Sequence, residues 1–393
     1  MTGWICKGAV AVGRVRLLPL LLMVATSLVA KAQAPGEEVR VRSPEGRAEI
    51  RVTLRPFSYT VRYREETVIE ASSLGLAFKG QAATGEFKVV GREERSVDIS
   101  SKPVWGKTGE ICNRFRELRL DLVEASGPKR RMSLRMRAYD DGIAFRYELP
   151  KQRGMEEFVV DRELTGFRLA GNAQIWASTY KNFRSAYEEE YRRQRVSEVA
   201  DSALIGLPVL AEIGAHAYVT LMEADLEDWA GLYLRRSGSS LLASLSPRTD
   251  GNGLVKASTP HRSPWRVVML ADRPGDLVAS NLIENLSEAS RIRDTRWIRP
   301  GKMMWDHWWS GDVAMENGTI ERYIAFAGAM GISVPVDRLA VVWTVRQGDG
   351  GHYASSCADR HAAAAAICKG AWRSRVVVAA LGRCGPGDAA GHA

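Results

Sequence analysis

The strongest constraint on the fold is a pattern that repeats over residues 38–293, in which short runs of alternating apolar and polar residues are separated by turn residues. Such alternation occurs in Val39-Arg-Val-Arg42, Glu49-Ile-Arg-Val-Thr53 and Tyr59-Thr-Val-Arg-Tyr63. Because successive side chains of a strand point to opposite faces, this pattern predicts antiparallel strands with one buried face. Turn motifs such as Ser43-Pro-Glu-Gly46 separate the runs at short intervals. Many short strands over about 250 residues predict a large sandwich of two sheets.

A hairpin and two short helices are the clearest local elements of this region. Arg135-Met-Arg-Ala-Tyr139 and Ile143-Ala-Phe-Arg-Tyr-Glu-Leu149 flank the turn residues Asp140-Asp-Gly142, which predicts a hairpin with one apolar face. Helical spacing is found chiefly from Tyr187 to Arg195 and from Leu277 to Leu286. The sequence therefore predicts a mainly β fold with few helices.

The first 34 residues have the features of a secretory signal peptide. Lys7, Arg14 and Arg16 precede an apolar run from Leu17 to Ala30, and small residues then stand at the spacing of a cleavage site. We therefore expect residues 1–34 to be a signal peptide and the protein to be periplasmic or secreted. No later stretch is long and apolar enough to span a bilayer, so we expect no transmembrane segment in the mature chain.

The net charge of the chain does not indicate a nucleic-acid partner. Of the formal charge of +9, residues 1–34 carry +4 and residues 334–393 carry +3, which leaves +2 for the rest. A nucleic-acid surface needs clustered lysine and arginine, commonly with interleaved aromatic residues, and no such stripe stands out. We therefore exclude nucleic acid as a partner.

A tryptophan-rich segment suggests a sugar site. Four of the eleven tryptophans fall between Trp297 and Gly311, and Trp305, Asp306, His307, Trp308 and Trp309 are consecutive. Aromatic faces beside a carboxylate and an imidazole suit a sugar, whose C–H faces stack on rings while its hydroxyls need polar partners. We predict these five residues as substrate-binding; the alternative is a tryptophan-rich core strand with an incidental aspartate. Helical spacing from Glu316 to Met330 completes a strand–loop–helix unit.

The sequence of this segment also carries a family resemblance. The run Asp294-Thr-Arg-Trp-Ile-Arg-Pro-Gly-Lys-Met-Met-Trp-Asp-His-Trp-Trp309 and the following Tyr323-Ile-Ala-Phe-Ala327 resemble glycoside hydrolase family 97, a family of α-glucosidases and α-galactosidases. The resemblance extends backwards, for example to Asp141-Gly-Ile-Ala-Phe-Arg-Tyr147. It implies a galactose-mutarotase-like β-super-sandwich over residues 35–295. It also implies that residues 296–333 are the first βα unit of a (β/α)8 barrel, and that oligosaccharides are the substrates.

The resemblance also implies a calcium ligand in the sandwich. Ser185-Ala-Tyr-Glu-Glu-Glu-Tyr-Arg-Arg193 contains three consecutive glutamates, which offer hard oxygen ligands, although a solvated helix start is the alternative from the residues alone. Family 97 enzymes bind Ca²⁺ beside the substrate with one glutamate from the N-terminal domain, and Glu188 is the best match, with Glu189 next to it. His216 and His261 stand alone among strand-like neighbours and are interpreted as structural.

Residues 334–393 differ in composition from the preceding chain. The run Ser333-Val-Pro-Val-Asp-Arg-Leu-Ala-Val-Val-Trp343 is followed by an alanine-rich stretch at Ala362 to Ala366 and by three cysteines. Dropping one base from permitted codons for the first run gives Pro-Tyr-Gln-Leu-Ile-Asp-Trp-Gln-Trp-Tyr, which resembles the second barrel strand of family 97. We therefore expect a frameshift near Ser333 and an irregular, out-of-frame tail.

These expectations limit the chemistry that the chain can perform. Glycoside hydrolysis needs two carboxyl groups flanking the scissile bond, and the family supplies them from later barrel strands. No catalytic residue is therefore assigned, and we expect a truncated, inactive hydrolase. The alternative is a non-enzymatic carbohydrate-binding sandwich. A sandwich-fold epimerase or lyase would need a histidine or a tyrosine–arginine cluster in the sandwich cleft, and the sequence indicates none.

Overall fold

The computed structural model describes residues 38–81, 85–215, 217–298, 300–302, 304–305, 317–332, 340–344 and 377–381. The chain divides into two compact units, Met1–Ala289 and Ser290–Ala393, and each is described by itself. Within the described residues, none of the helices combines the length and the apolar composition that a membrane span requires.

The first unit consists almost entirely of strands. In chain order they are β1 (Glu38–Arg42), β2 (Ala48–Leu54), β3 (Phe57–Tyr63), β4 (Glu66–Ser73), β5 (Leu76–Phe78), β6 (Phe87–Ser101), β7 (Ile111–Glu124), β8 (Arg131–Tyr139), β9 (Gly142–Leu149), β10 (Glu157–Glu163), β11 (Gly166–Leu169), β12 (Gln174–Ala177), β13 (Thr179–Tyr180), β14 (Arg192–Arg195), β15 (Leu204–Ile205), β16 (Val209–Ile213), β17 (Ala217–Ala224), β18 (Leu232–Ser237), β19 (Ser240–Leu245), β20 (Val255–Ser258), β21 (His261–Arg262) and β22 (Trp265–Ala271). Its described helices are a 3-10 turn at Val196–Glu198, α1 (Pro274–Ala279) and α2 (Leu282–Leu286).

These strands form two large sheets and one small sheet. The nine-stranded sheet has the order β1-β2-β3-β4-β11-β19-β18-β15-β13, and the ten-stranded sheet has the order β14-β12-β16-β17-β22-β9-β8-β7-β6. A three-stranded sheet, β20-β10-β5, accompanies them. The predicted strands at residues 39–63 and the hairpin at residues 135–149 are present as β1, β2, β3, β8 and β9. The mainly β fold predicted from the alternation is therefore confirmed.

The main core lies between the inner faces of the two large sheets. In β8, Met132, Leu134 and Met136 alternate with outward residues and belong to the same buried cluster as Val52 and Val61 of the nine-stranded sheet. The rings of Tyr59 and Phe145 pack across the core with centroids 4.8 Å apart. One face of each sheet is thus apolar, as the alternation requires.

The helix predicted from Tyr187 to Arg195 is wrong. Tyr187 has a left-handed backbone with φ of 60°, and Arg192–Arg195 form β14, which pairs antiparallel with β12. The strand forms because its backbone groups bond to β12, which lies outside the segment and 15–21 residues earlier in the chain, and this pairing outweighs local helical spacing. The predicted helical stretch at residues 277–286 is confirmed as the two short helices α1 and α2, separated at Ser280 and Asn281.

The second unit contains a parallel βαβ arrangement among its described residues. Strand β23 (Met304–Trp305) is followed by α3 (Asn317–Ala329) and β24 (Ala340–Thr344), and β24 pairs in parallel with β23 and with β25 (Val377–Leu381). The helix predicted at residues 316–330 is therefore present as α3. Strands β24 and β25 differ from the irregular structure expected after residue 333. The frameshift and the closure of a barrel stay predictions.

A buried ion pair crosses the core of the first unit. Arg266 of β22 is 0% exposed, and its Nε and Nη2 donate to the two carboxylate oxygens of Glu163 over 2.7 and 2.6 Å. Its Nη1 donates to Glu223 over 2.9 Å. Burial alone would lower the pKa of Arg266, but the charge and hydrogen bonds of Glu163 outweigh it and hold the pKa above its ordinary value. The guanidinium is therefore charged and fully paired inside the core.

Removing either partner should destabilise the fold strongly. We expect Arg266→Met or Glu163→Gln to cost about 3–5 kcal/mol in the free energy of unfolding, because each leaves a buried charge without its partner. Urea unfolding followed by tryptophan fluorescence measures the loss. The control is Arg248→Met, which breaks a solvent-exposed pair with Asp250 and should cost far less. Equal losses in Arg266→Met and Arg248→Met would contradict the assignment.

Candidate functional site

The structure describes only part of the predicted site. Trp305 is the last residue of β23, and Asp306, His307, Trp308 and Trp309 lie outside the described residues. Glu188 is described, and it lies exposed in the loop between β13 and β14.

The loop at residues 181–191 connects the two large sheets at their edges. Strand β13 is the last strand of the nine-stranded sheet, and β14 is the first strand of the ten-stranded sheet. The chain thus leaves one sheet at its edge and enters the edge of the other. Loops carried between rigid strands commonly bear binding residues.

Four aromatic side chains support this loop, and we call them the loop aromatic cluster: Tyr180, Phe183, Tyr187 and Tyr233. The rings of Tyr180 and Tyr187 are stacked, with centroids 4.9 Å apart and planes at 10°. Tyr233 packs edge-on against Tyr187 at 5.8 Å and against Phe183 at 5.2 Å. Aromatic packing of this kind contributes beyond the area that it buries. The cluster therefore fixes the backbone immediately before Glu188.

The hydroxyl of Tyr187 anchors the loop to the neighbouring chain. It donates to the carbonyl oxygen of Leu207 and accepts from the amide of the same residue, each over 2.8 Å. Burial of the hydroxyl raises the pKa of Tyr187 to about 12, although the residue as a whole is 44% exposed. The phenol therefore stays protonated at neutral pH and can keep both bonds.

The next three residues present carboxylates to solvent. Glu188, Glu189 and Glu190 are all exposed, and Tyr191 beyond them is 50% exposed. Their donor chemistry suits a hard cation such as Ca²⁺. Among the described residues, however, no group of three or more His, Cys, Asp or Glu side chains is arranged to hold a metal. The described residues therefore supply at most one side of such a site.

A second concave site lies on the ten-stranded sheet, and we call it the charged pocket. Its cavity volume is about 540 Å³. It is lined by Arg119, Ser133, Glu148, Leu149, Pro150, Lys151, Glu227, Asp228, Pro260, His261 and Arg262. Strand β21 pairs with β9 so that His261 faces Leu149 and Arg262 faces Glu148 in the register.

Arginine–carboxylate contacts cover the sheet around the charged pocket. Glu148 accepts from Arg135 over 2.6 Å and from Arg146 over 3.2 Å. Burial would raise the pKa of Glu148, but the bond from Arg135 and the neighbouring guanidinium charges lower it below its ordinary value. Glu148 is therefore ionised at neutral pH.

Comparison with known proteins identifies the family. The model of the glycosyl-hydrolase 97 N-terminal domain matches residues 41–289. The chain belongs to glycoside hydrolase family 97. A retaining α-galactosidase of Bacteroides thetaiotaomicron is 27% identical over 354 residues, which cover 81% of this chain and 52% of the relative. A probable retaining α-galactosidase of Streptomyces bingchenggensis is 27% identical, covering 73% of this chain and 43% of the relative.

Solved structures agree with this assignment. A family 97 enzyme from Pseudoalteromonas sp. strain K8, in complex with acarbose, superposes with a TM-score of 0.70 at 27% identity, covering 77% of this chain and 47% of that one. A β-arabinopyranosidase at 22% identity, with a TM-score of 0.71, shares the fold. The present chain spans about half the length of the curated relatives that it matches.

The sequence of this family 97 chain did not reveal the charged pocket. Its residues come from β7, β8, β9, β21 and the intervening loops, so no local motif joins them. His261 was interpreted from the sequence as an isolated structural histidine. In the structure it stacks on Trp229, with ring centroids 5.7 Å apart, and it lines the pocket. The strand-like neighbours of His261 in sequence gave no indication of this.

Gly206 allows the loop aromatic cluster to form. A Cβ atom there would lie 2.7 Å from Cε2 of Tyr180 and 2.9 Å from Oη of Tyr187. We expect Gly206→Ala to displace the stacked pair and to cost about 1–3 kcal/mol. Thermal unfolding gives the loss, and tyrosine near-UV dichroism reports on the stack.

The control for this substitution is Gly109→Ala, where a Cβ would meet nothing within 4 Å. An unchanged dichroism signal and equal stability of the two variants would show that Gly206 is not required for close approach.

Glu117 should make part of the stability depend on pH. This buried carboxylate bonds to Arg95, Arg135 and Arg137; burial would raise its pKa, but those bonds lower it from 4.5. Its contribution is therefore present above pH 4.5 and is lost as the pH falls through the folded-state pKa. We expect Glu117→Gln to destabilise at pH 7 by roughly 1.5–3 kcal/mol and by less at pH 3.

Urea unfolding at both pH values measures this difference, with the exposed Glu284→Gln as the control. A Glu117→Gln loss that is the same at pH 7 and pH 3 would contradict the proposed linkage.

Proposed function

We propose that this chain is the amino-terminal part of an exported glycoside hydrolase that acts on α-glycosidic bonds of oligosaccharides, with α-galactosides as the first substrates to test. The observation that carries the proposal is the family match over residues 41–289, together with two relatives named as retaining or probable retaining α-galactosidases. Export rests on the signal-peptide pattern of residues 1–34.

In this proposal the loop aromatic cluster positions a calcium ligand. Glu188 would supply one carboxylate oxygen, and the remaining ligands of a six- to eight-coordinate ion would come from other parts of a complete enzyme. Bound calcium would supply positive charge beside the substrate. The anchored hydroxyl of Tyr187 supports the proposal because it holds the backbone next to Glu188 in one conformation.

The segment Trp305 to Trp309 would line the substrate at the mouth of the barrel. The parallel order β23–α3–β24 supports this, because a parallel strand joined through a helix is the repeating unit of such a barrel. We propose that the reading frame shifts near Ser333, so that the barrel strands encoded after this point, which would carry the two catalytic carboxyl groups, are not read in frame and the chain is inactive.

The test is to read the gene across codon 333, to restore the frame and to assay both products. We expect no hydrolysis of p-nitrophenyl α-galactoside or α-glucoside by the present chain, and hydrolysis of one of them by the restored enzyme. An uninterrupted frame, or hydrolysis by the present chain, would overturn the proposal.

The calcium ligand is tested in the restored enzyme. We expect Glu188→Gln to raise the Ca²⁺ concentration for half-maximal activity roughly tenfold or more, because a charged ligand is lost. Glu190→Gln, two residues along the same exposed loop, is the matched control. If Glu189→Gln has the large effect instead, the register is shifted by one residue; equal Ca²⁺ dependence in all variants would exclude the loop as a ligand.

A non-enzymatic carbohydrate-binding module is the second candidate. It is favoured by one observation, that Met1–Ala289 separates as a compact unit with its own core. Binding of starch or galactomannan by the present chain, without hydrolysis by the restored enzyme, would select it.

A further inference from the structure

We infer that the charged pocket is a binding site for a neutral saccharide, separate from the loop that carries Glu188. The inference goes beyond the proposed hydrolase, because it concerns a different face of the first unit and needs no barrel. It rests on the charge balance, the hydrogen-bonding groups, the walls and the backbone of the pocket.

The charges that line the pocket balance. Arg119, Lys151 and Arg262 are cations, and Glu148, Glu227 and Asp228 are anions. A ligand with a net charge would meet as many repulsive groups as attractive ones. A neutral ligand with several hydroxyls suits both the cations and the anions of the pocket, because each hydroxyl can donate to a carboxylate and accept from a cationic N–H at the same time.

One buried donor in the pocket is not satisfied by the described chain. Nε of Arg119 is buried and has no hydrogen-bond partner among the described residues, and the nearest carboxylate oxygen of Glu148 is 3.7 Å away. Buried N–H groups are normally paired, so an acceptor from a ligand or a solvent molecule is expected here. Nη2 of Arg119 lies 2.9 Å from Oδ1 of Asp121 and donates to the hydroxyl of Ser133 over 3.4 Å, which fixes the orientation of the guanidinium.

The walls offer flat faces of the kind on which sugars pack. His261 is backed by Trp229 at an interplanar angle of 21° and is also in edge contact with Phe158 at 5.8 Å. Pro150 and Pro260 line the same cavity. The volume of about 540 Å³ lies in the range of small-molecule sites. The imidazole is therefore held rigidly and needs no ordering when a ligand arrives.

The loop at one side of the pocket has an unusual backbone. Asp225 and Asp228 both have left-handed conformations, with φ of 57° and 48°. Such conformations in residues other than glycine are held in place by surrounding contacts and cluster at binding sites. Here Asp225 accepts from Arg146 over 3.3 Å, and the carbonyl oxygen of Asp228 lies 3.1 Å from Nε2 of His261. The loop that brings Glu227 and Asp228 to the pocket is thus held by Arg146 and, at the backbone of Asp228, by His261, which also lines the pocket.

The pocket is distant from Glu188. Glu188 precedes β14 at the edge of the ten-stranded sheet, and Glu148 lies on β9, five strands further along the sheet. At about 4.8 Å per strand, the separation across the sheet is roughly 24 Å. One saccharide unit cannot occupy both places.

The test measures binding of galactose, melibiose and maltose to the full chain by titration calorimetry and by saturation-transfer NMR. We expect one of these sugars to bind. His261→Ala removes part of the pocket wall and Lys151→Ala removes a hydrogen-bond donor, and each should weaken the affinity for that sugar about fivefold to tenfold. Glu188→Gln and the exposed Lys88→Ala should leave the affinity unchanged.

Lys151 is exposed at the rim, so its substitution keeps the test valid if His261→Ala unfolds by losing its contact with Trp229. If none of the three sugars binds, the inference is overturned. Binding that Glu188→Gln abolishes and the pocket variants do not change also overturns it. Because binding at this pocket does not require the restored barrel, failure of the restored enzyme to hydrolyse glycosides would leave this result standing.

Discussion

The ion pair between Arg266 and Glu163 fixes how the sheets of the first unit meet. Arg266 belongs to the ten-stranded sheet and Glu163 to the small sheet, and both are fully buried. Glu223, which also accepts from Arg266, accepts the amide of Leu232 from the nine-stranded sheet over 3.0 Å. One guanidinium therefore connects elements of all three sheets. A buried ion pair adds little to stability when compared with apolar residues of similar size. It does restrict the strand register, since a slip of β22 by one residue would turn Arg266 to the opposite face of the sheet.

Strand β22, which carries Arg266, shows that the polarity of a residue does not by itself decide where it is buried in this chain. Trp265 and Arg266 are adjacent and point to opposite faces of β22. The arginine points into the main core, whereas Trp265 lies in a second buried cluster with Leu282 and Leu286 of α2. Its ring is contacted by the guanidinium groups of Arg137 at 4.7 Å and Arg146 at 4.4 Å. Cation–π contacts thus bury a tryptophan on the outer face of the sheet, where arginine–carboxylate contacts otherwise dominate.

Local patterns predicted the parts of the fold whose partners are close in sequence. The hairpin of β8 and β9 could be read from alternation and an Asp-Asp-Gly turn, and α1 and α2 from helical spacing. Residues 187–195 could not, because their conformation depends on the pairing of β14 with β12 and on the bond between Tyr187 and Leu207. The charged pocket was missed for the same reason. Arg119, Glu148 and His261 are brought together only by the order of the strands, and no spacing in the sequence records that order.

The loop that carries Glu188 was found by its motif, but its physical character comes from the fold. Three adjacent carboxylates repel one another and would be spread by solvent in a free loop. Here the preceding tyrosine is fixed by a stacked ring and by two backbone hydrogen bonds, so the chain direction at Glu188 is set before any cation is present. Because the loop backbone is already ordered, cation binding does not have to offset the entropy lost on ordering it. A single carboxylate can therefore contribute more to the affinity for the cation. If Glu188 binds calcium as proposed, the sandwich would serve the barrel by holding one calcium ligand in place. The main contribution of the sandwich would then be the loop aromatic cluster, more than the glutamates themselves.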